Sequence, residues 1–158
     1  DAGASAVVGS GTHQVQGIEI YNGCPIFYCL GNFFFENDTV EKLPADFLEK
    51  YGVSMHGSAQ EGLRARAAQA TASLGARRPV YQTVLPRFSI LDGKCAELEL
   101  LPVDLGLDGP KWEKGVPRLA DARAAEEICA YLNRVSAPYG TRWRVQGQAI
   151  VQTEGGKT

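Results

Sequence analysis

The sequence predicts a mixed α/β fold built on two β-hairpins and one strongly amphipathic helix. Asn22-Gly23 and Asp92-Gly93 each lie between apolar, alternating runs, the strongest short-range hairpin signal. From Asp121 to Val135, Ile128, Leu132 and Val135 recur at helical spacing on one stripe. Strands and helices do not follow the regular βαβ alternation of a complete doubly wound domain.

In chain order, Ala4 to Val8 is small and β-branched and reads as a short buried strand, broken by Gly9-Ser10-Gly11-Thr12. Val15 to Tyr21 alternates into the Asn22-Gly23 turn. The return run Pro25 to Leu30 is apolar on both faces, as expected of a central, covered strand. Gly31-Asn32 interrupts it before Phe33-Phe34-Phe35. Pro44 suits the first turn of a short helix through Tyr51, stopped by Gly52. Ser58-Ala-Gln-Glu61 is a capping-box signature for an alanine-rich helix expected to run to Leu74 and end at Gly75.

A second hairpin is expected from Val80 to Leu91 and back through Cys95 to Leu100. Ala96, Leu98 and Leu100 should share one face, with Glu97 and Glu99 on the other. Residues 102–117 read as a Gly- and Pro-rich loop carrying Trp112. Asp121 caps the amphipathic helix, and one last strand spans Arg142 to Gln152.

With 16 Lys+Arg against 18 Asp+Glu among 158 residues, charge gives no case for nucleic acid or an anionic membrane as partner. No apolar run approaches the roughly 18 residues of a spanning helix. Cys24, Cys29, Cys95 and Cys129 show no C-x-x-C. Cys24 and Cys29 point to opposite faces of one strand and cannot bridge. Free thiols in a reducing compartment are expected, hence a cytoplasmic location. The only methionine is Met55, and the chain moves from Asp1 at once into strand-like residues. This reads as an entry into the middle of a fold.

His13 is the first candidate for chemistry. It follows a strand and a glycine loop, and its imidazole can act as acid, base or metal ligand near neutral pH. A loop histidine bonded to backbone is the plainer reading. His56, in Ser54-Met-His-Gly57, reads as structural. Gly9-Ser10-Gly11 lacks the full nucleophile elbow. Asn32 could cap, turn or bind, and Phe33 to Phe35 reads as core with one ring free to line a pocket. Arg77, Arg78 and Arg87 read as surface arginines, Trp112 and Trp143 as packing residues.

The run from Asp1 to Phe35 resembles the CapA family, poly-γ-glutamate capsule biosynthesis proteins with a calcineurin-like metallophosphatase fold. Three stretches carry the resemblance: Gly9-Ser10-Gly11-Thr12-His13 against a G-H-x-P-H loop, Gly17 to Tyr28 against a G-I-E-x-Y-x-G-x-P-I-F-Y hairpin, and Cys29-Leu-Gly-Asn-Phe33 against S-L-G-N-F. Leu101 to Gly106 and Ser136 to Gly140 also look like that family's C-terminal region. The resemblance implies the C-terminal part of a fold with two mixed β-sheets flanked by helices. On this reading residues 1–158 are the C-terminal portion of one domain whose N-terminal part is absent from the chain. Residues 41–78 would be a peripheral helical insertion or lid, and 153–158 a flexible tail. The family's D-x-H, G-D-x-x and G-N-H motifs are not found in these residues.

One departure matters. Where the pattern has its first histidine, this sequence has Ser10, a poor transition-metal ligand, while His13 keeps the second. The family's metal dependence is thereby put in doubt, and no metal or other cofactor is expected. The resemblance then extends to a metal-independent branch that epimerises lasso peptides. It implies a peptide epimerase inverting the Cα of a C-terminal residue, tryptophan being one option, of a ribosomal precursor peptide. His13 would be the acid/base, and Ser10, Gly11, Thr12, Asn32 and Phe33 would be substrate-binding. The second acid/base group would come from the N-terminal part of the same protein. The alternatives are a metal-dependent hydrolase or capsule-synthesis protein, and an inactive binding scaffold.

Overall fold

The computed structural model describes residues 2–36, 40–69 and 77–153. It is mixed α/β with two sheets and divides into two compact units, residues 1–35 with 78–158 and residues 36–77.

In the larger unit, β1 (Val7–Val8), β2 (Ile18–Tyr21) and β3 (Cys24–Phe27) form a mixed sheet in the order β1-β3-β2. β3 is central, parallel to β1 and antiparallel to β2. Asn22 (φ 50°) and Gly23 (φ 80°) make the tight turn, since both central positions of such a hairpin need positive φ. The expected buried strand at Ala4 to Val8 is only two residues long, and Val7 and Val8 are 46% and 62% exposed. β1 is an edge strand, paired with β3 alone among the described residues.

The second sheet runs β4-β5-β8-β7, with β6 beside β5, and every pairing in it is antiparallel. Only one of the two sheets is therefore mixed; in the second, β4 with β5 and β7 with β8 are hairpins. Its strands are β4 (Gln82–Leu91), β5 (Lys94–Asp104), β6 (Arg118–Leu119), β7 (Trp143–Gln146) and β8 (Ala149–Gln152). Asp92 (φ 49°) and Gly93 (φ 75°) repeat the first turn.

Four local readings change. β4 starts two residues late, because Pro79 favours the 3-10 turn Arg78–Tyr81. β5 extends through Pro102 to Asp104. Proline is tolerated there because it lies between β8, paired at Glu99 and Leu100, and β6, paired at Val103 and Asp104. The alternation of Ala96, Leu98 and Leu100 is broken by a bulge between the Arg87↔Glu99 and Ser89↔Ala96 pairs, with Glu97 at φ 55°. The single last strand is a hairpin, turned at Gly147-Gln148 with Gly147 at φ 62°.

The helix α3 (Ala122–Ser136) is capped by Asp121, whose side chain accepts from Ala124 N–H at 2.8 Å. It joins both sheets. Ile128, Cys129 and Leu132 pack with Val15, Ile18, Phe27, Val84, Leu100, Trp143 and Ile150 into one core. Each such large side chain contributes roughly 1.5–3 kcal/mol on full burial. Tyr131 donates to Val15 O at 3.1 Å, and Asn133 brackets Trp143 by accepting from its N–H and donating to its carbonyl. The Ser136 hydroxyl, fully buried, accepts from Ile18 N–H at 3.1 Å and from the Trp143 indole at 3.3 Å.

In the smaller unit, α1 (Ala45–Lys50) begins after Pro44 and ends before Gly52 at φ 69°. α2 (Ala59–Gln69) opens on the expected capping box: Glu61 accepts from Ser58 N–H at 2.7 Å, and Ser58 Oγ accepts from Glu61 N–H at 3.2 Å. The Ser58 N–H and the Ser58 hydroxyl, both donating to the Glu61 carboxylate, hold it below its ordinary value. The expected helix end at Leu74 and Gly75, like most of the tail at 153–158, lies outside the described residues. Among the described residues no helix is long and apolar enough to cross a membrane.

Ser136→Ala leaves two buried donors without an acceptor. Chemical denaturation of the full-length protein should show a loss of about 2–4 kcal/mol. A loss under about 0.5 kcal/mol would mean that this hydroxyl does not hold α3 to the two sheets.

Candidate functional site

The loop from Gly9 to His13 leaves β1 and folds back over β3. Gly9 N–H donates to Phe27 O at 2.7 Å, and a Cβ at Gly9 would stand 2.3 Å from Tyr28 O, so only glycine fits this approach. The loop returns through an isolated antiparallel bridge between Val15 and Leu30 and a Gln16 N–H bond to Cys29 O at 2.9 Å. His13 sits between at φ 61°, a left-handed conformation that costs free energy in a residue with a Cβ. Strain of this kind persists only where surroundings over-determine it.

His13 Nδ1 lies 2.8 Å from Asn32 Oδ1, and Asn32 Nδ2 donates to Val80 O at 3.1 Å. The second bond fixes which end of the amide is which. Val80 O can only accept, so the Asn32 nitrogen must face it and its oxygen must face His13. His13 Nδ1 is then the protonated nitrogen, and in the neutral ring Nε2 carries the lone pair. Phe35 packs edge-on to His13 at 6.0 Å and to Tyr81 at 5.5 Å, while the Thr83 hydroxyl donates to Leu30 O.

Beneath the loop lies Cys29, fully buried. Its sulfur accepts from Gly31 N–H at 3.3 Å. Burial alone would push this thiol up. The Thr12 hydroxyl and the N–H groups of Gly31, Thr12 and Gly11 outweigh that and draw it below the ordinary thiol value.

The candidates from the sequence thus separate. His13 and Asn32 are brought together. Both ends of the Asn32 amide are engaged within the protein, so its geometry suits positioning rather than contact with a ligand. Gly11 and Thr12 are exposed, and Thr12 Oγ1 donates to Gln14 O at 2.8 Å. Ser10 is exposed and makes no hydrogen bond within the described residues. Phe33 is exposed, not core, and so is Phe34. Trp112 is 80% exposed, which overturns its reading as a packing residue, whereas Trp143 is buried. His56 belongs to the smaller unit. Arg78 pairs with Asp108 and Glu127, and Arg87 with Glu99. Sequence reasoning missed Cys29 and Val80 O, since neither a lone thiol nor a backbone carbonyl has a motif.

These residues do not by themselves fit a dinuclear metal centre. One imidazole with an open Nε2 is one ligand, Ser10 offers only a neutral hydroxyl, and no three His, Cys, Asp or Glu converge among the described residues. The arrangement can move a proton at Nε2. The Asn32 carbonyl then holds the Nδ1–H of the resulting imidazolium.

Comparison with known proteins agrees with the N-terminal motifs. Residues 1–37 match the family described as bacterial capsule synthesis protein PGA_cap. PGA biosynthesis protein CapA of Bacillus subtilis (strain 168) is 56% identical over 36 residues, 23% of this chain and 10% of that protein. Uncharacterized proteins y4sH and y4uA of Sinorhizobium fredii (strain NBRC 101917 / NGR234) are each 35% identical over 153 residues, 92% of this chain and 33% of theirs. The chain thus spans about a third of the length of these two relatives. The matches support the CapA family, through the same segment that carries His13 and Asn32.

Two measurements check this geometry. In ¹⁵N NMR, neutral His13 should be protonated at Nδ1, and Asn32→Leu should abolish that preference; a ring that stays wholly Nδ1–H in the variant would show that Asn32 does not set the tautomer. The second concerns Cys29. A thiol lowered on folding adds stability that grows as pH rises through the thiol range and is lost as pH falls through its folded value. Wild type should therefore gain on Cys29→Ser with rising pH, and a pH-independent difference would contradict a Cys29 thiol lowered on folding.

Proposed function

We propose that the chain supplies the His13 half of an acid/base site in a CapA-like protein of calcineurin-like metallophosphatase fold, and that the protein epimerises the Cα of a peptide residue without metal. The observation that carries this reading is the His13–Asn32–Val80 relay, which leaves one imidazole nitrogen open, next to a serine in the place of the family pattern's first histidine.

In this mechanism His13 Nε2 takes the proton from one face of the substrate Cα, and the C–H electron pair passes into an enolate. A second group on the opposite face gives its proton to Cα, which completes the inversion. That second group is an aspartate in the part of the protein outside this chain, for which the threefold longer relatives leave room. Asn32 is a positioning residue that favours the imidazolium once it forms. The enolate needs a hydrogen-bond donor. The Ser10 hydroxyl, exposed and without a hydrogen bond within the described residues, takes that role. Phe33, exposed beside Asn32, offers an apolar wall to the peptide.

The second reading, a metallophosphatase-like hydrolase or a protein of capsule synthesis, is favoured by the family match over residues 1–37 and the CapA relative. It needs the metal ligands that the residues around His13 lack, all from elsewhere in the protein.

The test is deuterium incorporation at Cα of the C-terminal residue, in heavy water, across a panel of peptides. The full-length wild type should catalyse exchange, and His13→Gln should lower its rate by about 10²–10⁴-fold. Unchanged exchange in the variant would remove His13 from the chemistry.

A further inference from the structure

We propose that Cys24 and Cys95 form a redox-responsive pair, which closes to a disulfide linking the two sheets at their hairpin tips. The two turns, distant in sequence, meet in the fold. Cys95 N–H donates to Gly23 O at 2.8 Å, and the Cys24 thiol donates to Gly93 O at 3.5 Å. The Lys94 side chain lies against Gly23, 3.3 Å from where a Cβ would stand. A backbone hydrogen bond between residues 95 and 23 places the α-carbons of Cys24 and Cys95 roughly 5–6 Å apart, inside the range from which a disulfide closes.

The two thiols differ in a way that orders the steps. Cys24 borders an open pocket with Ala4, Val7, Tyr21 and Ile26, where a small oxidant can reach it. Cys95 is pushed up, by burial first and then by the neighbouring Cys24 charge, so less of it is thiolate at neutral pH. With a low-molecular-weight disulfide such as oxidised glutathione, the Cys24 thiolate attacks one sulfur and breaks the S–S bond. One thiol leaves after taking up a proton. The Cys95 thiolate then attacks the Cys24 sulfur and expels the second thiol. Two electrons pass from the protein to the oxidant, and the two protons lost by the protein match the two gained by the released thiols.

Cys29 and Cys129 are buried and lie apart from this exchange. The cross-link would tie the sheet that leads into His13 and Asn32 to the sheet that follows Val80. The candidate site spans the same two sheets, so the disulfide fixes their relation from the far end. It closes a long loop, for which a rise in thermal midpoint of roughly 5–10 °C is expected.

The experiment treats the full-length protein with oxidised glutathione and maps it unreduced by mass spectrometry. Expected are a peptide linked Cys24 to Cys95 and a raised midpoint that reductant reverses. Cys95→Ser should stop at a glutathione adduct on Cys24, and Cys24→Ser should lose the link. Wild type that stays fully reduced, carries only glutathione adducts, or links either cysteine to Cys29 or Cys129 would overturn the proposal.

Discussion

The Asn32 amide accepts from His13 at one end and donates to the Val80 carbonyl at the other, and so ties the loop after β1 to the residues that enter the second sheet. An amide carries both an acceptor and a donor, and here each end has its partner. A carboxylate would meet the Val80 carbonyl with a second acceptor, and an apolar residue would leave the imidazole free to turn. The orientation of the amide is not a free choice either, because a backbone carbonyl decides it. From that one constraint follow the tautomer of His13 and the nitrogen left open to a substrate.

The rest of the fold serves to keep the two ends of this relay in register. α3 packs across both sheets, and the Ser136 hydroxyl takes donors from each. Cys29, under the loop, accepts from Gly31 N–H and so anchors the turn after β3. His13 can hold a left-handed backbone because Gly9 is anchored on one side and the Val15–Leu30 bridge on the other. Strain at this residue is thus supported by bonds along the whole loop.

Much of this was legible in the sequence, for reasons that differ by element. The Asn22-Gly23 and Asp92-Gly93 hairpins, the Ser58–Glu61 capping box and the Asp121 cap were readable because each is a local rule written in a few adjacent residues. The Glu97 bulge was not, since an inserted residue leaves the polar–apolar pattern looking continuous. The β7–β8 hairpin was hidden by a turn, Gly147-Gln148, with weaker chemistry than Asn-Gly. Within the site, His13 announced itself by residue type and glycine context. The role of Asn32 did not, because its second partner is a carbonyl far along the chain. Trp112 misled by its type, large aromatic side chains being buried more often than not.

The match over residues 1–37 supports a CapA-like relationship, while Ser10 separates this loop from the two-histidine pattern that the resemblance implies. The proposed chemistry requires that one imidazole, oriented by Asn32, suffice without a metal ion. The most direct measurement is the metal content of the active full-length protein, followed by its rate of α-proton exchange after exhaustive chelation. Far less than one metal ion per chain and an undiminished rate are expected. Two bound ions per chain, with activity lost on chelation and restored by a divalent metal, would contradict the proposed chemistry.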